Sequence, residues 1–290
     1  MNNKITIGIP TYQRPNLLLR ALNSLENHEK FGINIVVSVD GIDNKYNDYK
    51  DIEKNFLLKN VKFHYHKKNI GSLKNFLFLR DNCTTEYFMW LADDDEIDVV
   101  TIKNLYSILC LDEKATTAVP YWLLYNDKLE KKLLRPSFFD IDSVFKRVLS
   151  YCYNSDDAFF YGLHKLSFLK NCSFEGYWWP NQKSLSNWCY VFQMDLILNG
   201  KILFLDDKNC KWINHDYGEK FYTKSSTDKF FKYFAYFARR LNVYFLYLKK
   251  IFRSKRFLIF IVIASIIPFL LSRDLMFREP VFHKVQFKKN

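Results

Sequence analysis

Isoleucines at 5, 7 and 9 lie in a short apolar run that Pro10 stops, a pattern that predicts a strand running into a loop. Leucines at 17, 18, 19, 22 and 25 then keep a helical spacing. Ile33 to Val39 is almost continuously apolar, as strands buried on both faces of a parallel sheet are, and it ends at Asp40-Gly41. Val61 to Tyr65 predicts a third strand, followed by the loop Asn69-Ile70-Gly71-Ser72 and a helix from Leu73 to about Arg80. Tyr87 to Ala92 predicts a fourth, which runs directly into Asp93-Asp94-Asp95-Glu96. Strand and helix alternate, so the expected fold is α/β, an open, mostly parallel, Rossmann-like sheet with helices on both faces.

Ligands of such sheets bind beyond the carboxyl ends of the strands, where the polar residues of this chain collect. Pro10, Thr11, Tyr12 and Arg14 follow the first strand, Asp40 ends the second, Asn69 and Gly71 follow the third, and the carboxylates follow the fourth. The expectation is one site built from four loops. Four consecutive carboxylates repel one another unless cations or hydrogen-bond donors compensate them. One reading is a solvated loop that also caps the next helix through Asp95 or Asp98. The other is a metal site, in which Asp93 and Asp95 present oxygens to a hard cation, Mn²⁺ or Mg²⁺, that also takes phosphate oxygens of a ligand.

The last quarter is a different kind of sequence. Phe230, Phe234, Phe237, Leu241, Tyr244, Leu248 and Ile251 recur at intervals of four and three, the seam of an amphipathic helix, while Lys249, Lys250 and Arg253 fall off it. Phe257 to Leu271 follows without a charge but with Pro268 inside it. Spanning a bilayer takes about 20 apolar residues, so a helix lying in one leaflet is expected rather than a span. A core helix packed on the rest of the protein is the alternative. The net charge of +12 sits entirely here, since 16 Lys and Arg face 4 Asp and Glu between Glu219 and Asn290. The expected partner is an anionic membrane surface; nucleic acid has no use for so large an apolar surface and is not expected.

Composition excludes disorder: 49% of residues are hydrophobic and only 8 Gly and 7 Pro loosen the chain. Six cysteines, none within three residues of another, read as reduced thiols rather than a metal knuckle or redox pair. Only Ile5 to Pro10 passes for an apolar stretch near Met1, so no secretory signal is expected and the chain is placed on the cytoplasmic side.

Ile7-Gly8-Ile9-Pro10-Thr11-Tyr12-Gln13-Arg14, Val39-Asp40-Gly41, Asn69-Ile70-Gly71-Ser72 with Asn75, and Trp90-Leu91-Ala92-Asp93-Asp94-Asp95 occur in the order and spacing of a known pattern. Tyr161-Gly162-Leu163-His164 and Asn199-Gly200-Lys201 through Leu205 extend it. Over residues 4 to 218 the chain resembles the inverting family 2 glycosyltransferases of the GT-A fold. The resemblance implies a catalytic domain at 1–218, which leaves 219–290 as the helical membrane-associating region read from its charge and apolar pattern. It implies a nucleotide site at Pro10, Thr11, Tyr12, Arg14, Asp40, Asn69, Gly71, Asp93 and Asp94, and a DxD metal site at Asp93 and Asp95. His215, in Trp212-Ile213-Asn214-His215-Asp216, resembles a histidine found in relatives near the end of the catalytic domain, and is read either as a third contact to the metal or diphosphate or as a structural histidine.

The implied reaction moves a hexosyl or hexosaminyl group from a nucleotide-diphosphate sugar, a UDP-sugar first, to a glycan or glycolipid acceptor with inversion. The implied setting is surface polysaccharide or lipooligosaccharide synthesis at the cytoplasmic face of the inner membrane. Where the family usually places its catalytic Asp, this chain has Ser186-Asn187-Trp188, and an amide cannot take a proton at neutral pH. Glu175, Asp156 and Asp157 are the replacement bases considered, and a catalytically inactive nucleotide-sugar binding protein is the rival. A glycoside hydrolase fits less well, since its acid and base must face each other across the bond. His64 and His66 are read as strand residues, and Tyr177-Trp178-Trp179 either as a sugar-stacking cluster or as core.

Overall fold

A computed structural model describes residues 4–42, 44–56, 60–126, 132–134, 140–154, 158–175, 177–178, 185–186, 188–214 and 229–277. The chain alternates β1 (Ile5–Thr11), α1 (Pro15–Ser24), β2 (Ile33–Val39), α2 (Tyr46–Phe56), β3 (Val61–Tyr65), α3 (Ser72–Asp81), β4 (Tyr87–Trp90) and α4 (Val99–Leu111). It continues through β5 (Ala115–Asn126), β6 (Lys132–Leu134), α5 (Val144–Asn154), β7 (Leu163–Lys165), α6 (Leu166–Leu169), β8 (Tyr177–Trp178) and β9 (Leu185–Ser186). After α7 (Trp188–Asn199) and β10 (Lys201–Asn214), the described chain ends with α8 (Lys229–Arg253) and α9 (Phe257–Phe277).

The main sheet runs β10-β5-β7-β4-β1-β2-β3, with β6 on β5. β1 pairs in parallel with β2 and β4, and β2 with β3, so four carboxyl ends point to one edge. Every residue of β1 is buried, as expected for the strand at the centre of that set. From β1 the chain steps outward to β3 and then returns to lay β4 on the other side of β1, which makes the β1–β4 boundary the point where strand order reverses. The sheet is not wholly parallel: β7 runs antiparallel between β4 and β5 and joins the two halves.

Helix α2 was not anticipated, although Tyr49, Ile52 and Phe56, its buried residues, keep a helical spacing. Asp98 is the N-cap of α4: the Thr101 N–H donates to Oδ1 at 2.7 Å and the Thr101 hydroxyl to Oδ2 at 3.0 Å. Asp98→Ala is therefore expected to cost about 1 kcal/mol in thermal unfolding and to leave function alone, because only a cap is lost.

The C-terminal helices correct the sequence reading of their faces. α8 packs on α7, and α9 packs on α8 and α5. Tyr244 and Ile251, two residues of the seam expected to meet lipid, are buried together with Val243 and Tyr247. Basic residues expected at the lipid surface are spent on the protein instead. Lys249 and Arg253 pair with Glu175 at 2.7 and 2.6 Å, and the buried Lys250 pairs with Asp195. The carboxylates of Glu175 and Asp195 hold this face inward. Among the described residues no helix is long and apolar enough to cross a membrane.

Candidate active site

A cavity of about 690 Å³ opens beyond the carboxyl ends of β1 to β4, within the size range of small-molecule sites. Pro10, Thr11, Tyr12, Arg14, Asp40, Asn69, Gly71, Asp93 and Asp94 all line it, as do Asp95 and Asn75. The four loops expected to form one site therefore meet.

Each loop is fixed by contacts that parallel pairing alone does not supply. The Asp40 carboxylate accepts the backbone N–H of Ile70 at 2.7 Å and of Gly71 at 3.1 Å, which fastens the end of β2 to the loop before α3. Each of its oxygens keeps a second lone pair for a ligand. Gly41 is required where that loop passes, since a Cβ there would stand 2.8 Å from the Asn69 nitrogen and its φ is +107°. On the other flank the Tyr49 hydroxyl accepts the Arg14 N–H at 2.9 Å and bonds the Thr11 hydroxyl at 3.1 Å, so α2 braces the turn after β1. Within that turn Gln13 takes left-handed backbone, φ 56°.

The acidic loop is compensated from α1 and the turn before it. The Arg14 guanidinium pairs with Asp93 and, at 2.8 Å, with Asp94. Arg20 donates to the Asp94 carbonyl at 2.7 Å and pairs with Glu96 at 3.2 Å. Arg20 was missed in the sequence, where nothing but its position one helical turn and a half beyond Arg14 pointed at the acidic run. Asp93 and Asp95 are both buried. Burial pushes the Asp93 carboxyl up to about 7, with Arg14 pulling against the rise and Asp94 adding to it.

The donor set fits a hard divalent cation. Asp93 Oδ2 is buried without a hydrogen-bond partner among the described residues, an arrangement that costs free energy unless something positive meets it. Asp95 opens on the same cavity. No three His, Cys, Asp or Glu side chains are grouped as a ligand set among the described residues, so a cation held by Asp93 and Asp95 would complete its shell with ligand phosphate oxygens and water. His215 lies outside the described residues, as do Asp156, Asp157, Asn187 and Trp179.

Below the cavity an aromatic cluster sets the positions of β4, α3 and α7. Trp90 stacks on Phe160 at 4.5 Å and donates its indole N–H to the Phe76 carbonyl at 3.0 Å. Phe76, against Trp188 at 5.4 Å, and Tyr161 reach the cavity wall. His164 does not: buried between the Thr117 hydroxyl at 2.8 Å and the Phe160 carbonyl at 2.9 Å, it is held down to about 4 by burial, and so it is a neutral core residue. His64 and His66 pack on Phe78, and His66 bonds the Ser38 hydroxyl at 3.0 Å.

Glu175, a candidate base in the sequence, is placed in an ion-pair cluster with α8. It is not among the residues lining the cavity. Burial raises its carboxyl, but Lys249 and Arg253 outweigh that and hold it below its ordinary value, the wrong direction for a proton acceptor. Asp195, on α7, neutralises Lys250. Glu175→Gln should therefore leave turnover within about twofold of wild type and cost about 1 kcal/mol or less, since both of its partners are partly exposed. A large fall in turnover number measured with saturating donor would restore it as the base.

The sequence model for glycosyl transferase family 2 matches residues 6–165. No curated protein matches the chain. Among solved structures, S. aureus TarS 1-349 in complex with UDP-GlcNAc superposes with a TM-score of 0.65 at 16% identity, covering 94% of this chain and 73% of that one. Another structure of TarS 1-349 gives a TM-score of 0.53 at 18% identity, over 72% of this chain and 60% of the TarS chain. The mannosyltransferase PcManGT from Pyrobaculum calidifontis, in complex with GDP-Man and Mn²⁺, gives 0.53 at 10% identity, over 94% and 73%. At these identities the likeness is one of fold.

Proposed function

The chain belongs to glycosyl transferase family 2, and on that premise we propose that it moves a sugar from a nucleotide-diphosphate donor, a UDP-sugar first, to a glycan or glycolipid acceptor. The observation that carries this reading is the cavity in which the loops after four parallel strands converge on Arg14, Asp40, Asp93 and Asp95. A UDP-sugar is consistent with the UDP-GlcNAc held by TarS 1-349, a protein of similar fold. Asp40 and the Thr11–Arg14 turn would position base and ribose. Asp93 and Asp95 would hold Mn²⁺ or Mg²⁺, which when bound neutralises charge on the leaving diphosphate. Tyr161, on the cavity wall, would face the acceptor.

Transfer with inversion is a single displacement. The acceptor oxygen forms a bond to the anomeric carbon as its proton passes to a base, and the bond to phosphate breaks with its electron pair leaving on the nucleoside diphosphate. Residues 1–218 are assigned to this chemistry and 219–290 to attachment at the cytoplasmic face of the cell membrane; the boundary itself falls outside the described residues. Surface polysaccharide or lipooligosaccharide is the product class proposed.

One observation favours the rival reading of an inactive nucleotide-sugar binding protein. The carboxylates lining the cavity, Asp40 and Asp93 to Asp95, all belong to the proposed donor side. The deciding experiment measures thermal shift and nucleoside diphosphate release together, for UDP-, GDP-, CMP- and dTDP-sugars with and without Mn²⁺. Stabilisation with release supports the transferase, stabilisation without release in the presence of glycan acceptors supports the binding protein, and neither response to any donor overturns both.

A further inference from the structure

From Phe257 to Leu271 the sequence of α9 is without charge and apolar on nearly every side, and a helix of that kind belongs where all its sides are covered. One side is covered: Ile259, Ile263 and Leu270 are buried, where α9 packs on α5 and α8. The opposite stripe is open. Leu258, Ile261 and Phe269 are 73%, 61% and 63% exposed. Phe252, near the end of α8, and Phe257, which begins α9, are also exposed and meet edge to face with ring centroids 5.5 Å apart, so the stripe continues round the corner between the two helices. An uncovered apolar surface of this extent marks an interaction site.

Charge selects what covers it. From Lys229 to Arg273 the chain carries no Asp or Glu. Lys255 and Arg256 stand between the two phenylalanines and, unlike Lys249, Lys250 and Arg253, pair with no carboxylate among the described residues. Lys255 is held in left-handed backbone, φ 58°, the position after a helix where Gly or Asn is ordinarily found. A second copy meeting this face by two-fold symmetry would bring like charges together. An anionic surface meets the cations and the apolar stripe at once.

We infer that the α8–α9 corner and the outer stripe of α9 dock on an anionic lipid bilayer, lying at the headgroup boundary without crossing it. This rests on the membrane reading given above and narrows it, replacing the α8 seam, whose Tyr244 and Ile251 face the protein, with a different face. The basic residues that pair with Glu175 and Asp195 hold the hairpin on the catalytic fold, while Lys255 and Arg256 serve the lipid.

The test is co-sedimentation of the full chain with phosphatidylcholine vesicles with and without phosphatidylglycerol, in the absence of any nucleotide sugar, so that its failure is separate from failure of the transferase reading. Binding is expected to require phosphatidylglycerol. The double substitution F257D/L258D should weaken it about a hundredfold, and K255E/R256E about tenfold with loss of the lipid-charge dependence. Leu111→Asp, at a still more exposed apolar position at the end of α4, should bind as wild type. Unchanged thermal unfolding certifies each variant, and should F257D/L258D fail to fold, K255E/R256E carries the test alone. Wild type left in the supernatant with anionic vesicles overturns the inference, as does wild-type binding by the variants. A wild-type dimer that F257D/L258D splits would assign the face to a second copy and overturn it too.

Discussion

Asp95→Ala is expected to lower sugar transfer by about 10³-fold or more and to remove the Mn²⁺ dependence of nucleotide binding, while the protein unfolds at its wild-type temperature. The side chain is buried at the mouth of the acidic loop and opens on the cavity. Its backbone N–H closes the turn on the Ala92 carbonyl at 3.1 Å, a bond that alanine retains. The substitution therefore deletes the proposed oxygen ligand and leaves the loop. Removing one of four crowded carboxylates also relieves repulsion, so any change in stability without ligand should be small. Calorimetric titration with UDP, with and without Mn²⁺, separates the loss of metal from the loss of nucleotide. Full activity in this variant would end the assignment of Asp93 and Asp95 as a metal pair.

The second large effect concerns stability. Asp195→Ala should lower stability by about 3 kcal/mol or more, because Lys250 stays buried without its counter-ion, and lower the unfolding midpoint by about 10 °C. The Lys250 ammonium then keeps only the Ser173 carbonyl at 3.0 Å and the Ser173 hydroxyl at 2.8 Å, two neutral acceptors. Replacing both members of the pair, Asp195→Leu with Lys250→Met, should recover most of the loss, since an apolar contact of similar volume has no charge to leave stranded. A single variant as stable as wild type would show that α8 is not fastened to α7 through this pair.

The nucleotide-binding half was legible because its signals are local. β1 to β4 are apolar runs of the right length, and the polar residues that follow them converge once the strands are parallel. What the sequence withheld were contacts across the chain. Tyr49 braces Arg14 from 35 residues away, and Arg20 meets a carbonyl, Asp94 O, that no side-chain pattern announces. β7 has three residues, too few for a period to register. The C-terminal helix was misread for a different reason. α8 carries apolar residues on a second face as well, with Tyr244 and Ile251 buried and Phe245 and Phe252 exposed, and periodicity does not say which face meets the protein. Glu175 and Asp195 decide that, and both lie outside the helix.

The antiparallel strand β7 also sets an order of assembly. β4 and β5 do not pair with each other; both wait for Leu163–Lys165, which arrive some forty residues after β5 ends. Until then a nascent chain holds two separate sheets, β3-β2-β1-β4 and β6-β5, each with an open edge at the gap, and open edges recruit strands from other molecules. A fragment cut before residue 163 would keep every residue that lines the nucleotide cavity, Tyr161 included, yet it should aggregate during expression, whereas a fragment that runs on through β10 seals the gap, covers the other edge of β5 and should stay dispersed.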